Sequence, residues 1–335
     1  MGEYFSTNVA FLLSGMERHL SRLATVEPFA GAGHLADWAY KNGASFVDQY
    51  DIKPTSKDVI KNDSIKSPPL KHYQGIITNP PYLSRNKNKE KHYYEQWEQN
   101  DLYKCHLAAI CKSDIKKGIA ILPSNFISEA NGKIRELFFK TFKLTKVKYF
   151  LYPVFDDATT GIVVIAFERD ETEKESMNVP FEIWESKDKH KNVTHTLWKK
   201  YKWLAGKDFF DLIYSAKPRT FKIAREANEI NSRIIIGILD HGKYNLAAHY
   251  NAGEPFLAKG KSFTTYQVIL PDDALITEEQ QKKAVDLYNK TLYNNRAKYD
   301  GLFLSNYMGA NQKIKSRKYS NLLLSWAIDK IKEEQ

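Results

Sequence analysis

Asn79, Pro80, Pro81 and Tyr82 stand together at the end of a short apolar run, Gly75-Ile76-Ile77-Thr78. The β-branched residues favour a strand, and the prolines end its pairing because neither can donate a ladder hydrogen bond. Two fixed φ angles then gather the Asn79 amide oxygen, the Pro80 carbonyl and the Tyr82 ring into one small volume. Such a group suits an aromatic amine. The lone pair of an exocyclic amine is delocalised into its ring, and two acceptors that bind both N–H protons localise it again, while an aromatic face holds the ring. The competing reading is a tight turn without chemistry, since a short motif needs its structural context.

Upstream, residues 24–28 read as a strand, Phe29-Ala30-Gly31-Ala32-Gly33 as a loop and 34–41 as a helix. This order makes the first unit of a nucleotide-binding sheet, in which glycines let backbone N–H groups approach a ligand closely. It also describes an ordinary β-α turn. Asp51 falls near the end of a second strand, 44–52, at the spacing from the glycine loop where an acid binds ribose hydroxyls. Taken alone it reads as a solvated Asp at a strand end.

In Asn-Pro-Pro-Tyr the chain resembles the amino-group methyltransferases that act on adenine N6, and the related glutamine-amide methyltransferases. The run Val26-Glu27-Pro28-Phe29-Ala30-Gly31-Ala32-Gly33 resembles the cofactor loop of DNA methyltransferases. The motif order, cofactor loop first and Asn-Pro-Pro-Tyr next, is similar to the gamma arrangement of N6-adenine-specific DNA methyltransferases, the type II restriction-modification methylases of the TaqI kind. That resemblance covers residues 4 to about 169. It implies S-adenosyl-L-methionine as cofactor, with Glu27 on the methionyl ammonium and Phe29, Gly31 and Gly33 in the loop around it. Asp51 would meet the ribose and Asp63 the adenine amino group. Ser64 stands where the family often has an aromatic, leaving Ile65 as the apolar wall. Thr7, in Tyr4-Phe5-Ser6-Thr7-Asn8, would meet the carboxylate, although Asn8 replaces the family's proline. Phe155 corresponds to the aromatic that stacks on a flipped base opposite Tyr82. Without the resemblance, a Phe before a strand reads as core.

These residues need a sheet to carry them. Strand signals at 118–123, 147–151 and 162–167 interleave with helical stretches at 9–23, 101–112 and 131–139, which indicates an α/β fold. The resemblance makes it a doubly wound, mostly parallel Rossmann-like sheet. The run 162–167 reads as an edge strand. Residues 83–95, polar and basic with aromatics, read either as solvated surface or as a loop that contacts substrate phosphates.

The charged stretch 170–180 reads as a linker between a catalytic domain, 1–169, and a C-terminal α+β target-recognition domain, 181–335. The latter holds basic clusters at Lys187, Lys189 and Lys191, at Lys199, Lys200 and Lys202, at Lys259 and Lys261, and at Lys313, Lys315, Arg317 and Lys318. Aromatics including Tyr244 and Phe263 interleave with them, and helices are expected near 277–295 and 318–333. Such a region suits duplex DNA and also describes an ordinary basic domain.

The net charge of +10 favours a polyanionic partner, and 42% hydrophobic residues can build real cores. Two cysteines, Cys105 and Cys111, make neither a disulfide framework nor a zinc site, so no metal is expected. No run suits a signal peptide or a membrane span, which points to a soluble cytoplasmic protein. Glu185-Ser186-Lys187 matches half of a metal-dependent nuclease site, a tripeptide that arises often by chance.

The reading is therefore a site-specific adenine methyltransferase acting on double-stranded DNA, with a cognate restriction endonuclease as a further partner. RNA adenine or protein glutamine methylation, and a non-catalytic DNA-binding specificity protein, are the alternatives.

Overall fold

A computed structural model describes residues 8–155, 161–240, 245–258, 264–306, 312–314 and 317–334. Thr7, Tyr244, Lys259, Lys261, Phe263 and Lys315 lie outside the described residues. The chain divides into two compact units, the first running through Trp203 and the second from Leu204 onward, with 128–130 counted in the second.

The first unit is built on nine strands: β1 (Ala24–Glu27), β2 (Phe46–Asp51), β3 (Val59–Lys61), β4 (Gly75–Thr78), β5 (Lys117–Pro123), β6 (Phe142–Phe150), β7 (Ile162–Arg169), β8 (Ser176–Ser186) and β9 (Lys189–Trp198). Their order is β3-β2-β1-β4-β5-β7-β6-β8-β9. The first five pair in parallel, β7 runs antiparallel between β5 and β6, and β8 joins β6 in parallel. Chain order runs outward from β1 to β3 and then returns to β4 on the other side of β1. That reversal creates a crevice at the carboxyl ends of β1 and β4, the place where open α/β sheets bind ligands.

Helices α1 (Val9–Leu12), α2 (His34–Lys41), α3 (His92–Trp97), α4 (Leu102–Cys111), α5 (Asn125–Ser128) and α6 (Lys133–Thr141) follow in chain order. Alternate strand residues point to opposite faces, and the packing obeys this. Ile119, Ile121, Val164 and Ala166 share a buried cluster with Leu12 of α1 and Leu35 and Trp38 of α2. Phe167, three residues from Val164, instead meets Phe138 of α6 edge-on at 5.1 Å between ring centroids. Helices therefore cover both faces.

Three expectations need correction. The stretch 162–167 is not an edge strand: β7 lies inside the sheet, and a continuous apolar run is what burial on both faces demands. The helix expected over 9–23 stops at Leu12, and turns follow around Gly15, whose φ is +79°. The segment 170–180 is not a free linker, because β8 begins at Ser176 and the sheet runs on to Trp198. Lys148 of β6 lies opposite Glu182 of β8 and is fully buried. Its ammonium sits 3.3 Å from Glu182 and donates to the Phe11 carbonyl at 2.7 Å and Ser14 Oγ at 2.6 Å. A buried cation needs such partners, and these bind β8 and the N-terminal segment to the sheet.

The second unit has a four-stranded antiparallel sheet of β10 (Lys222–Ile223), β11 (Ile234–Gly237), β12 (Ala247–Tyr250) and β13 (Thr265–Ile269), ordered β10-β13-β11-β12. A short pair, β14 (Ser305–Asn306) and β15 (Gln312–Lys313), and helices α7 (Lys207–Ser215), α8 (Glu278–Lys298) and α9 (Arg317–Glu333) complete it. Thr277 starts α8 with a capping box, accepting from the Gln280 N–H while Gln280 accepts from its own.

Candidate active site

A cavity of about 420 Å³ opens at the crevice between β1 and β4. Glu27, Phe29, Gly31, Asp51, Asp63, Ile65, Asn79 and Pro81 all line it. Residues read from sequence as cofactor contacts thus share one cleft with the polar turn that follows β4.

Glu27 ends β1 and is almost wholly buried. Its Oε2 accepts the Ala36 N–H at 2.8 Å, in the first turn of α2, where backbone donors lack helical partners. Burial pushes the carboxyl well above its ordinary value, the Ala36 bond opposes that, and Asp37 and Asp51 add to it. A cation in the cleft would relieve this cost. Gly31, at φ +52°, donates to Asp51 Oδ2 at 2.9 Å and accepts from Thr55 Oγ1 at 2.7 Å. Asp51 Oδ1 accepts the Lys53 N–H at 2.8 Å. Asp51 therefore holds the glycine loop, with lone pairs left for a ligand. Gly33 does not line the cleft: it starts α2 at φ +80°, and a Cβ there would stand 2.9 Å from Gln49 Oε1.

Two prolines stop β4 as expected, and Asn79 enters the cleft. The Tyr82 hydroxyl lies 2.6 Å from Asn79 Oδ1 and 2.9 Å from the Ile121 carbonyl, two acceptors that share its one proton. Its ring meets Tyr103 edge-on at 6.2 Å. Pro80, Tyr82 and Phe155 are not among the residues that line the cavity. Phe155 is buried in the apolar cluster against which Tyr82 also packs.

Several supporting residues escaped the sequence reading. His106, buried on α4, lies 3.3 Å from Thr78 Oγ1 through Nε2 and meets the Phe29 ring edge-on at 4.8 Å. It braces the strand before Asn79 and the glycine loop together, and burial lowers its pKa to about 3, so it stays neutral. Asp63 Oδ2 accepts from the Tyr93 hydroxyl at 2.6 Å. Residues 83–95 are mostly exposed, as the solvated-surface reading has it, but held in place: Tyr94 donates to the Leu83 carbonyl at 2.9 Å, Arg85 pairs with Glu95 at 2.9 Å, and Ser84 bridges Asp101. Periodicity carries no trace of such contacts, because each joins residues far apart in sequence or polar on both sides. Glu185 pairs with Lys189 at the β8–β9 turn.

Residues 40–155 match the Eco57I restriction-modification methylase family. That match takes in Asp51, Asp63, the turn at 79–82 and Phe155, and leaves out the glycine loop and most of the chain. Among solved structures, the methyltransferase subunit of the type I restriction-modification system of Streptococcus thermophilus is similar at 15% identity, with 57% of this chain and 50% of that one covered and a TM-score of 0.41. The type IIG restriction endonuclease BpuSI is similar at 13% identity, with 68% and 37% covered and a TM-score of 0.44. The M protein of the type I restriction enzyme EcoKI gives 13%, 54%, 48% and 0.40. The chain spans half or less of the length of each. No curated protein sequence matches it. Among the described residues, no helix is long and apolar enough to cross a membrane.

Proposed function

We propose that the chain is an S-adenosylmethionine-dependent methyltransferase that modifies adenine N6 in duplex DNA, as the methylase of a restriction-modification system. The observation that carries this reading is one cleft shared by Glu27, Gly31, Asp51 and Asp63 with Asn79 and Pro81. The match to a restriction-modification methylase family over residues 40–155 supports the DNA substrate.

The residues fit the cofactor. The buried Glu27 carboxyl, costly as an anion, is matched by an ammonium. Asp51 keeps lone pairs for ribose hydroxyls beside a glycine loop open to close approach, and Asp63 takes an N–H donor. When bound, the cofactor supplies an electrophilic methyl on a sulfonium.

The chain's own part begins with the target base, which must leave the stack because N6 is out of reach within the duplex. Asn79 Oδ1 now accepts from Tyr82. An incoming amine takes that acceptor, the Pro80 carbonyl takes the second N–H, and the nitrogen lone pair is freed to attack in line. Alignment supplies much of the rate gain. Tyr82, released, offers its ring to one face of the base, and Phe155 is assigned the other. The surplus N6 proton leaves to water after transfer. Double-stranded DNA is the partner, read by the second unit, and a cognate endonuclease acts on the same site.

Incubating the protein with labelled S-adenosylmethionine and unmethylated duplex DNA, then separating the nucleosides, tests this. Label in N6-methyladenine is expected. Label in RNA or in protein glutamine, with none in DNA, would favour the other amino-group methyltransferases instead.

A further inference from the structure

We propose that Tyr93 is a positioning residue for recognition of the cofactor's aminopurine end: its hydroxyl fixes the Asp63 carboxylate to receive an N–H donor in the cleft. The inference rests on the cofactor reading above.

Both residues line the cavity. Asp63 Oδ1 accepts the N–H groups of Ile65 at 3.2 Å and Lys66 at 3.1 Å, and Oδ2 accepts from Tyr93 at 2.6 Å. Three donors on two oxygens leave the carboxylate little freedom to rotate, with acceptor capacity to spare. The helix that carries Tyr93 is itself latched to the same segment. Gln96 donates to the Lys66 carbonyl and Trp97 Nε1 to the Ile65 carbonyl, each at 2.9 Å. Burial, then Asp63 and Glu90 beside it, push the Tyr93 phenol above its ordinary pKa, which keeps the hydroxyl a donor.

A carboxylate held in this way accepts from a 6-amino group but faces a 6-oxo group lone pair to lone pair. Selectivity built on a hydrogen bond is steep, because the wrong ligand leaves a polar group unpaired. Tyr93 therefore acts on discrimination through Asp63 and touches no reacting atom. Tyr94, its neighbour on α3, holds the Leu83 carbonyl just past the catalytic turn. One short helix thus grips both halves of the cleft.

The test is calorimetric titration of the full chain with S-adenosylhomocysteine and with its 6-oxo analogue, S-inosylhomocysteine. The wild type should prefer the amino form by about tenfold or more. Tyr93→Phe keeps the ring and should lose most of that preference, with a higher KM for S-adenosylmethionine and kcat nearly unchanged. Trp97→Phe, which removes a latch without touching Asp63, should lower the melting temperature and leave the preference intact. An unchanged preference in Tyr93→Phe, an equal loss in Trp97→Phe, or no preference in the wild type overturns the role of Tyr93 alone. A wild type that binds neither ligand overturns the cofactor reading with it.

Discussion

Asn79 and Glu27 show how much of this site is written in residue type and how much in surroundings. An amide followed by two prolines and a tyrosine suggests an acceptor held rigidly, and Asn79 lines the cleft. The sequence carries no sign that the Tyr82 hydroxyl engages Asn79 first. The spacing that singles out Asp51 says nothing of its hold on Gly31, and no local pattern marks the bond of Tyr93 to Asp63, thirty residues away. Glu27 leads to a pH prediction. Its folded pKa is raised above 4.5, chiefly by burial, so the folded chain binds its proton more tightly than the unfolded chain. Its contribution to stability therefore falls as pH rises from about 4.5 through the folded value. A ligand ammonium favours the ionised form, so affinity for S-adenosylmethionine should rise across that same window. Glu27→Gln should flatten both trends, read as melting temperature and Kd from about pH 4 to pH 8. Unchanged slopes in that variant would assign the dependence to another group.

At the scale of elements, the β-α unit from β1 through α2 and the strand β4 were readable because glycine and proline punctuate them. The position of β7 was not. Its residues, Ile162-Val163-Val164-Ile165-Ala166-Phe167, form an apolar run without alternation, which is the pattern of a strand buried on both faces. A loop before it suggested an edge, but order within a sheet depends on non-local pairing, which local pattern does not specify. The tightness of this region gives a second prediction. A Cβ at Gly118 on β5 would lie 2.2 Å from the Phe167 ring and 2.6 Å from Ile76. Gly118→Ala should cost about 1–3 kcal/mol, the range for overpacking, measured by urea unfolding. A change near zero would mean that Phe167 repacks freely against α6.

For the whole molecule, the charged stretch 170–180 suggested a boundary between two domains, whereas the chain divides into two compact units after Trp203. Charge composition marked 170–180 as a linker, and within it 171–173 and 175 are exposed while Asp170 and Lys174 are half-buried. It could not reveal that β8 returns to pair with β6, across a register joining Val147 to Phe181 and Phe150 to Trp184. A chain ending at Trp203 should therefore melt cooperatively and bind S-adenosylhomocysteine, while one ending at Glu175 loses two strands and should aggregate. Cooperative melting of the shorter chain would show that β8 and β9 are dispensable. The longer fragment should lose site-specific duplex binding in a mobility-shift assay, since recognition is assigned to the second unit; retained binding would place it in the first.

In the proposed reaction Asn79 accepts from the amine that is methylated. Single-turnover methyl transfer to duplex DNA by Asn79→Ala, with S-adenosylhomocysteine binding measured alongside, tests it most directly. The rate should fall by orders of magnitude, about 10²-fold or more as for other positioned hydrogen-bond groups, with ligand affinity close to wild type. A variant that binds the ligand and transfers methyl to adenine at the wild-type rate would contradict it.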